Sequence, residues 1–224
     1  LGYYNRGNVY PETISLNTYN SINSVLLPTL ASRQNDTYEM KQVVRKVVSL
    51  TEYIIMPMMF GLMAVADRFI LVILTEKWMP ILRLIIYACL IYAINPVRAI
   101  GYNVFYAKGE SFRSVRIEAF RSIVMVVNLF IVIIFLKKSI YVLAATNVII
   151  AIVITLVTHI QVKECIGYNF RELIEDVMPP LSMSCVVVLV VRLLSYFKFS
   201  DIVVLVLQIV FGAVTYVILS IVTK

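Results

Sequence analysis

Long apolar runs separated by short polar breaks dominate the chain. Six of them, at about 47 to 66, 81 to 107, 117 to 136, 139 to 162, 177 to 197 and 202 to 222, approach or exceed the roughly 20 residues that a helix needs to cross a bilayer core about 30 Å thick. Several are rich in Val and Ile, which favour strands, but runs of this length exceed any ordinary strand. The pattern predicts an all-α, polytopic membrane helix bundle.

Residues 12 to 31 are more polar and admit two readings. Pro11 suits the first turn of a helix, and Glu12 complements its positive end. Thr13, Asn17, Asn20 and Ser24 recur at helical spacing as one polar stripe, while Ile14, Ile22, Val25 and Leu26 lie largely away from it. Such a helix either rests on the membrane surface or forms a seventh span with one wet face. Residues 67 to 80 predict a helix lying at the membrane interface: Asp67 and Arg68 close a span, Phe69 to Leu74 is a short apolar run, and Trp78 follows as a headgroup anchor. Pro57, Pro96 and the pair Pro179 and Pro180 fall within or at the start of spans, where each releases a backbone carbonyl and permits a kink.

Composition agrees with the pattern. Hydrophobic residues make up 61% of the chain and charged residues 15%, far from soluble-domain usage. The net charge of +7 comes from basic residues set between spans rather than in one patch with aromatics, so no nucleic-acid partner is expected. Seven alternating spans place Arg33, Lys41, Arg45, Lys46, Lys108, Arg113, Arg116, Arg121, Lys163, Arg171 and Lys224 on one side. The other side has only Arg6, Arg68, Lys77, Lys137, Lys138 and Lys198, so the positive-inside rule puts the first set, with the C-terminus, in the cytoplasm. Cys89, Cys165 and Cys185 are far apart and His159 is the single histidine, which leaves no metal-ligand spacing. No cluster of carboxylates and no large loop to hold one are present, so an enzyme is not expected.

Five short motifs carry a resemblance to a known family. Leu1-Gly2-Tyr3-Tyr4-Asn5-Arg6-Gly7, the stretch from Leu27 to Asp36, Pro57 through Gly61 to Asp67, Glu76-Lys77-Trp78 and Ala107-Lys108-Gly109 occur in an order and spacing that resemble bacterial polysaccharide exporters. The family is the lipopolysaccharide and capsule repeat-unit flippase group (Wzx and WzxC-like) of the multidrug/oligosaccharidyl-lipid/polysaccharide exporter superfamily. Beyond residue 120 only the pattern of spans agrees. Thr75 departs from the family, which often has glycine there, as does Gly7, where alanine is common.

The resemblance implies the second lobe of a MATE-like two-lobe exporter with about seven transmembrane helices, taken from a protein of fourteen. The chain opens without an initiator methionine and is expected to be a piece of that longer protein, lacking its N-terminal lobe. On this alignment residues 1–11 are the end of a preceding helix and an outer loop, 12–162 hold five spans, and 163–224 hold the last loop and two terminal spans. The segment 12 to 31 then matches a true span with its polar stripe facing a cavity.

The implied activity is export of an undecaprenyl-diphosphate-linked oligosaccharide across the bacterial inner membrane by alternating access. Drug or ion antiport in the same superfamily and a non-catalytic assembly subunit are the alternatives. Membrane lipids and polysaccharide assembly machinery are the further partners. A substrate with an anionic, hydroxyl-rich head needs cations and amides in a wet cavity. Arg98, deep in a span just after Pro96, meets the first need, because an arginine there costs roughly 2.5–3.5 kcal/mol unless paired or hydrated. It either contacts the diphosphate or forms an ion pair with Glu118 or Glu52. Arg6 is a candidate at the outer mouth, and Asn17, Asn20, Asn95 and Asn103 offer amides to sugar hydroxyls. Glu52 and Glu118 are candidates for a coupling proton or sodium; no other cofactor is implied.

Overall fold

The computed structural model describes residues 2–135, 139–195 and 200–222. Leu1 of the opening motif and Lys137, Lys138, Lys198 and Lys224 of the charge count lie outside them. Seven long helices, with no strand among the described residues, form one bundle: α1 Gly2–Ala31, α2 Thr37–Phe69, α3 Leu82–Ala107, α4 Ser111–Phe135, α5 Ile140–Ile166, α6 Phe170–Leu194 and α7 Asp201–Val222. Six segments are long and apolar enough to span a membrane: Thr37–Leu74, Glu76–Ala107, Ser111–Ile134, Ile140–Ile166, Phe170–Leu194 and Asp201–Val222. The remaining helix, α1, has the length at 30 residues but not the hydropathy.

Local chemistry sets the ends. The Asp36 side chain accepts from the Tyr38 and Glu39 amides at 2.9 and 3.0 Å and starts α2. The Glu172 carboxylate reaches back to the Asn169 amide at 2.8 Å and starts α6. Past α3 the Glu110 amide donates to the Phe105 carbonyl at 2.8 Å across Gly109, and α5 stops where the Gly167 amide donates to Lys163.

Two expectations need correction. The boundary after residue 11 does not exist: α1 runs without a break from Gly2 to Ala31, with Pro11 buried inside it. A proline forfeits one intrahelical bond, and packing of both flanking turns against the bundle holds the helix through it. Gly7, one turn earlier, lies so close to α3 that a Cβ there would stand 2.8 Å from Leu84 Cβ. Nor does a helix lie along the interface at 67 to 80. Instead α2 continues into a π-helical turn, Ile70–Leu74, the chain reverses at Thr75 (φ 81°, ψ 158°), and a 3-10 turn, Glu76–Ile81, leads into α3. Ile70, Leu74 and Ile81 are buried, so the apolar run serves the bundle rather than lipid. Trp78 packs edge-on against Tyr3 of α1, ring centres 5.6 Å apart.

α1 packs on α3, α3 on α5 and α2, and α2 on α6, while α7 lies against α6 and α2, and α4 leans on α5 and more lightly on α3. One core, around Leu30, Val44, Ile100, Phe105 and Ile154, fills the end near the α3–α4 turn; another, around Ile55, Met59, Ile70 and Ile85, fills the opposite end. Where α3 crosses α5 a Cβ on Gly101 would meet Thr158 and Val162 methyls at 2.9 and 3.0 Å, so glycine permits the close approach. Ion pairs tie the ends. Arg45 of α2 grips Asp176 of α6 at 2.8 and 2.9 Å, Lys41 reaches Glu172 at 2.6 Å, and the Tyr168 hydroxyl donates to Asp176 at 2.8 Å. Burial and that neighbouring carboxylate push the Tyr168 phenol well above its ordinary pKa. At the other end Arg68 pairs with Asp201 and Arg192 with Asp67.

The proline kinks are tied off by neighbours. Pro57 has no N–H for the Tyr53 carbonyl, and the Tyr216 hydroxyl of α7 donates to that oxygen at 2.7 Å. Pro96 likewise frees the Tyr92 carbonyl, which accepts from Ser15 of α1 at 3.3 Å. The second of these sits beside the cavity described next.

Candidate functional site

A cavity of about 330 Å³ opens among α1, α3, α4 and α5. α1 turns Asn5, Asn8 and Glu12 into it, residues three or four apart and so on one helix face. α3 supplies Tyr92, Asn95 and Arg98 at the same kind of interval, α4 supplies Arg121 and α5 supplies Asn147. Four amides, two guanidinium groups and one carboxylate thus line a space inside an apolar bundle. Amides present both donors and acceptors, which suits hydroxyl-bearing ligands, and guanidinium forks suit phosphate oxygens.

Arg98 is only 16% exposed in its side chain and its charge is balanced in two directions. Nη1 pairs with Glu118 Oε2 at 3.2 Å, and Nη2 donates to Asn95 Oδ1 at 3.3 Å, with the Tyr102 ring 5.7 Å from the guanidinium carbon. Of the two ion-pair partners expected from the sequence, Glu118 is the one present. That carboxylate is shared: Arg121 pairs with it through Nη2 and donates to it from Nε at 2.8 Å, and the Tyr102 hydroxyl donates to it at 3.1 Å. Two arginines share this one carboxylate, and Glu12 of α1 is the other carboxylate at the cavity wall. A second cleft of about 430 Å³ lies on the far side of this group, lined by Tyr19, Tyr102, Tyr106, Ser114, Glu118 and again Arg98. The triad of Arg98, Glu118 and Arg121 therefore stands between two cavities.

The other sequence candidates are dispersed. Asn95 lines the cavity with Arg98. Asn103 does not: it is 2% exposed and donates to the Tyr19 hydroxyl at 3.0 Å and Asn23 Oδ1 at 2.7 Å, a bolt between α3 and α1. Asn17 and Asn20 are exposed on an adjoining face of α1, outside the cavity. Arg6 is exposed and rests over the Tyr10 and Trp78 rings, 5.5 and 5.8 Å from their centres. Glu52 of α2 is wholly buried, and neither carboxylate oxygen has a hydrogen-bond partner. Asn5, Asn8, Glu12, Arg121 and Asn147 were missed. Asn5 and Asn8 fell in a segment read as a helix end and loop and Glu12 was read as a charge at a helix start, although Asn147, an amide within a long apolar run, carried a usable signal.

The fold and the cavity define a polytopic helical membrane protein with a polar chamber between helices. Residues 1–83 match a family model described as polysaccharide biosynthesis protein, in agreement with the resemblance read from the motifs. Among solved structures the chain is similar to lipid II flippase MurJ in its inward closed conformation, with a TM-score of 0.73 and 19% identity over 99% of this chain and 46% of that one. The chain thus has the flippase fold and spans about half the length of that flippase. No curated protein matches it.

Proposed function

We propose that the chain forms one lobe of an exporter that moves an undecaprenyl-diphosphate-linked oligosaccharide across the bacterial inner membrane by alternating access. The observation that carries this reading is the chamber itself: Arg98 and Arg121 for the diphosphate, with Asn5, Asn8, Asn95 and Asn147 for sugar hydroxyls. Arginine forks recognise phosphate, and two half-buried arginines sharing one carboxylate keep N–H donors to offer a second anion. The diphosphate displaces Glu118 from Arg98, while Arg121 retains Glu118, so neither Arg98 nor the carboxylate is left unpaired on loading. Arg6, held on its aromatic pad, is a second cation for the released head at the outer mouth.

Of the two coupling candidates, Glu118 is occupied by two arginines, which makes Glu52 the carrier of the coupling proton. A wholly buried carboxyl whose oxygens have no hydrogen-bond donor is at ease in the neutral, proton-carrying form. The helix ends bearing Lys41, Arg45, Lys108 and Arg113 face the cytoplasm. The test is Arg98→Ala in cells that need the protein for surface polysaccharide. Export should be lost while membrane insertion and protein level are unchanged. Normal export by that variant would remove Arg98, and with it the diphosphate seat, from the mechanism. Export lost only together with the protein would show that Arg98 acts in folding.

A further inference from the structure

His159, the single histidine of the chain, is 5% exposed, and its Nε2 has no hydrogen-bond partner among the described residues. Two other buried polar groups share that condition nearby: Thr155, one turn earlier on α5, at Oγ1, and Glu52 of α2 at both oxygens. A cavity of about 10 Å³, the size of about one water molecule, lies against His159 and is walled by Val44 and Val48 of α2, Val97, Ile100 and Gly101 of α3 and Thr158 of α5. The Thr158 hydroxyl donates to the Ile154 carbonyl at 2.9 Å and keeps the capacity to accept, so the cavity has two polar side chains on its wall. Val48 stands one turn before Glu52 on α2, and Met56 one turn after. Met56 lines the next pocket together with Thr155, and Val97 lines both spaces, which brackets Glu52 between them. Helical side chains lean toward the N-terminus of their own helix, so the carboxyl tilts toward Val48 and the His159 cavity.

The same ring also meets the surface. The backbone of Asn169, an exposed residue of the α5–α6 turn, faces it, and the Tyr168 and Phe170 rings stand edge-on to it with centres 5.1 and 6.1 Å away. The charges around this junction are Lys163 of α5, Lys41 and Arg45 of α2, and Glu172 and Asp176 of α6, the last four paired with one another; α3 contributes only apolar wall. We infer that His159 is a proton relay between this end of the bundle and Glu52. The inference rests on the proposed function, in which Glu52 carries the coupling proton, and names the route by which that proton leaves and returns. Imidazole suits the task because one ring nitrogen accepts a proton while the other releases one. In release, the Glu52 O–H bond breaks and its proton passes to a water held in the cavity as that water gives one to Nε2. Nδ1 then yields its proton to solvent at the turn, and the ring is left neutral as the other tautomer. The reverse order loads Glu52.

The test reads proton exchange at Glu52 itself, without transport. The chain in lipid nanodiscs is moved from H2O into D2O, and infrared spectra follow the protonated carboxyl band, identified by its loss in Glu52→Gln, as O–H becomes O–D. The amide II band of the same spectra reports opening of the bundle. In His159→Phe, which fills the site but takes up no proton, the carboxyl should exchange about 100-fold more slowly than in wild type, with amide exchange unchanged. In His159→Ala, added imidazole should restore the rate, whereas pyrrole, of like size but without a basic nitrogen, should not. His159→Gln, polar but without a titratable proton, meets the same expectation and stands in where His159→Phe fails to fold. Wild-type exchange in these variants would overturn the relay while leaving Glu52 as the carrier. Rescue by pyrrole as well as imidazole, or slowing that comes with altered amide exchange, would show that His159 acts in packing and overturn the relay too. Absence of any carboxyl band that depends on Glu52 would overturn carrier and relay together.

Discussion

Glu52 and Asn103 are both polar, both buried in spans, and are expected to respond to the same substitution with opposite signs. Glu52 is 0% exposed, follows Val48 and precedes Met56 on a buried stripe of α2, and neither oxygen meets a donor. A buried polar group without a partner costs about 1–3 kcal/mol even when neutral, and more when charged. Glu52→Leu preserves approximate volume and removes that cost, so it should stabilise the bundle by about 1–3 kcal/mol; no further gain from hydrophobic transfer is counted, because lipid is the competing environment. For a bundle of this size that raises the unfolding midpoint by roughly 2–4 °C per kcal/mol. Asn103→Leu instead removes the amide that donates to both the Tyr19 hydroxyl and Asn23 Oδ1, which keep only their 3.1 Å bond to each other and the Tyr19 contact with the Ala99 carbonyl, and should destabilise by about 1–2 kcal/mol. The assay is thermal unfolding of both variants in the same detergent. A lowered midpoint for Glu52→Leu would refute the reasoning, since it would mean that the carboxyl has a partner in the folded protein. Glu52→Gln then isolates the proposed coupling role: it keeps the shape, and export should lose its dependence on the proton gradient.

Thr75→Gly should stabilise the chain by about 1–2 kcal/mol, because φ 81° and ψ 158° fall in a region that only glycine occupies without strain, less the conformational entropy of glycine; chemical unfolding of the two proteins reads the difference. Gly7→Ala should cost about 1–3 kcal/mol, since the new Cβ meets Leu84 Cβ at 2.8 Å and backbone lies behind it, and the same unfolding measurement shows it. Tyr168→Phe should make the protein less sensitive to alkali. A phenol whose folded pKa is raised contributes stability that is complete below its unfolded value of about 10 and declines as pH rises above that value, so wild type should lose stability faster than the variant in unfolding curves taken from neutral to alkaline pH.

The spans from α2 to α7 were legible because length and hydropathy are summed over twenty residues and tolerate single exceptions such as Glu52 or Arg98. Segment 67 to 80 was not, because an apolar run followed by Trp looks the same whether it lies on a membrane or turns back into a bundle; the left-handed backbone at Thr75 is what decides, and sequence periodicity does not report φ. The two departures from the family pattern become intelligible together. Gly7 is where α1 touches α3 too closely for a methyl group, and Thr75 is a strained position where the family's glycine would be at ease. Arg98 and Asn95 could be picked out because polar groups are conspicuous in an apolar run, whereas nothing distinguished Asn103, a bolt, from Asn95, a wall.

The helix that sequence read least well is the one that organises the chamber. At 3.6 residues per turn, Asn5, Asn8 and Glu12 occupy one face of α1, with Asn23 continuing it toward the Asn103 bolt, while Thr13, Asn17, Asn20 and Ser24 occupy a second face about 100° away. Ending the first segment at Pro11 separated the two faces into different elements, so only the second was seen as a stripe. The continuous helix joins them. The first face looks into the chamber among α1, α3, α4 and α5; the second is exposed. A span with two polar faces leaves unusually little of its surface fit for lipid, and an exposed amide stripe in hydrocarbon is costly. On the proposed function that cost is met because the exposed face is the wall of a larger wet space shared with the opposite lobe, and Asn17 and Asn20 carry the sugar end of a substrate whose diphosphate lies at Arg98. Asn17→Leu and Asn20→Leu together should then spare folding and reduce export of a long repeat unit more than binding of undecaprenyl diphosphate alone; an equal loss of both would place these amides in folding or insertion instead.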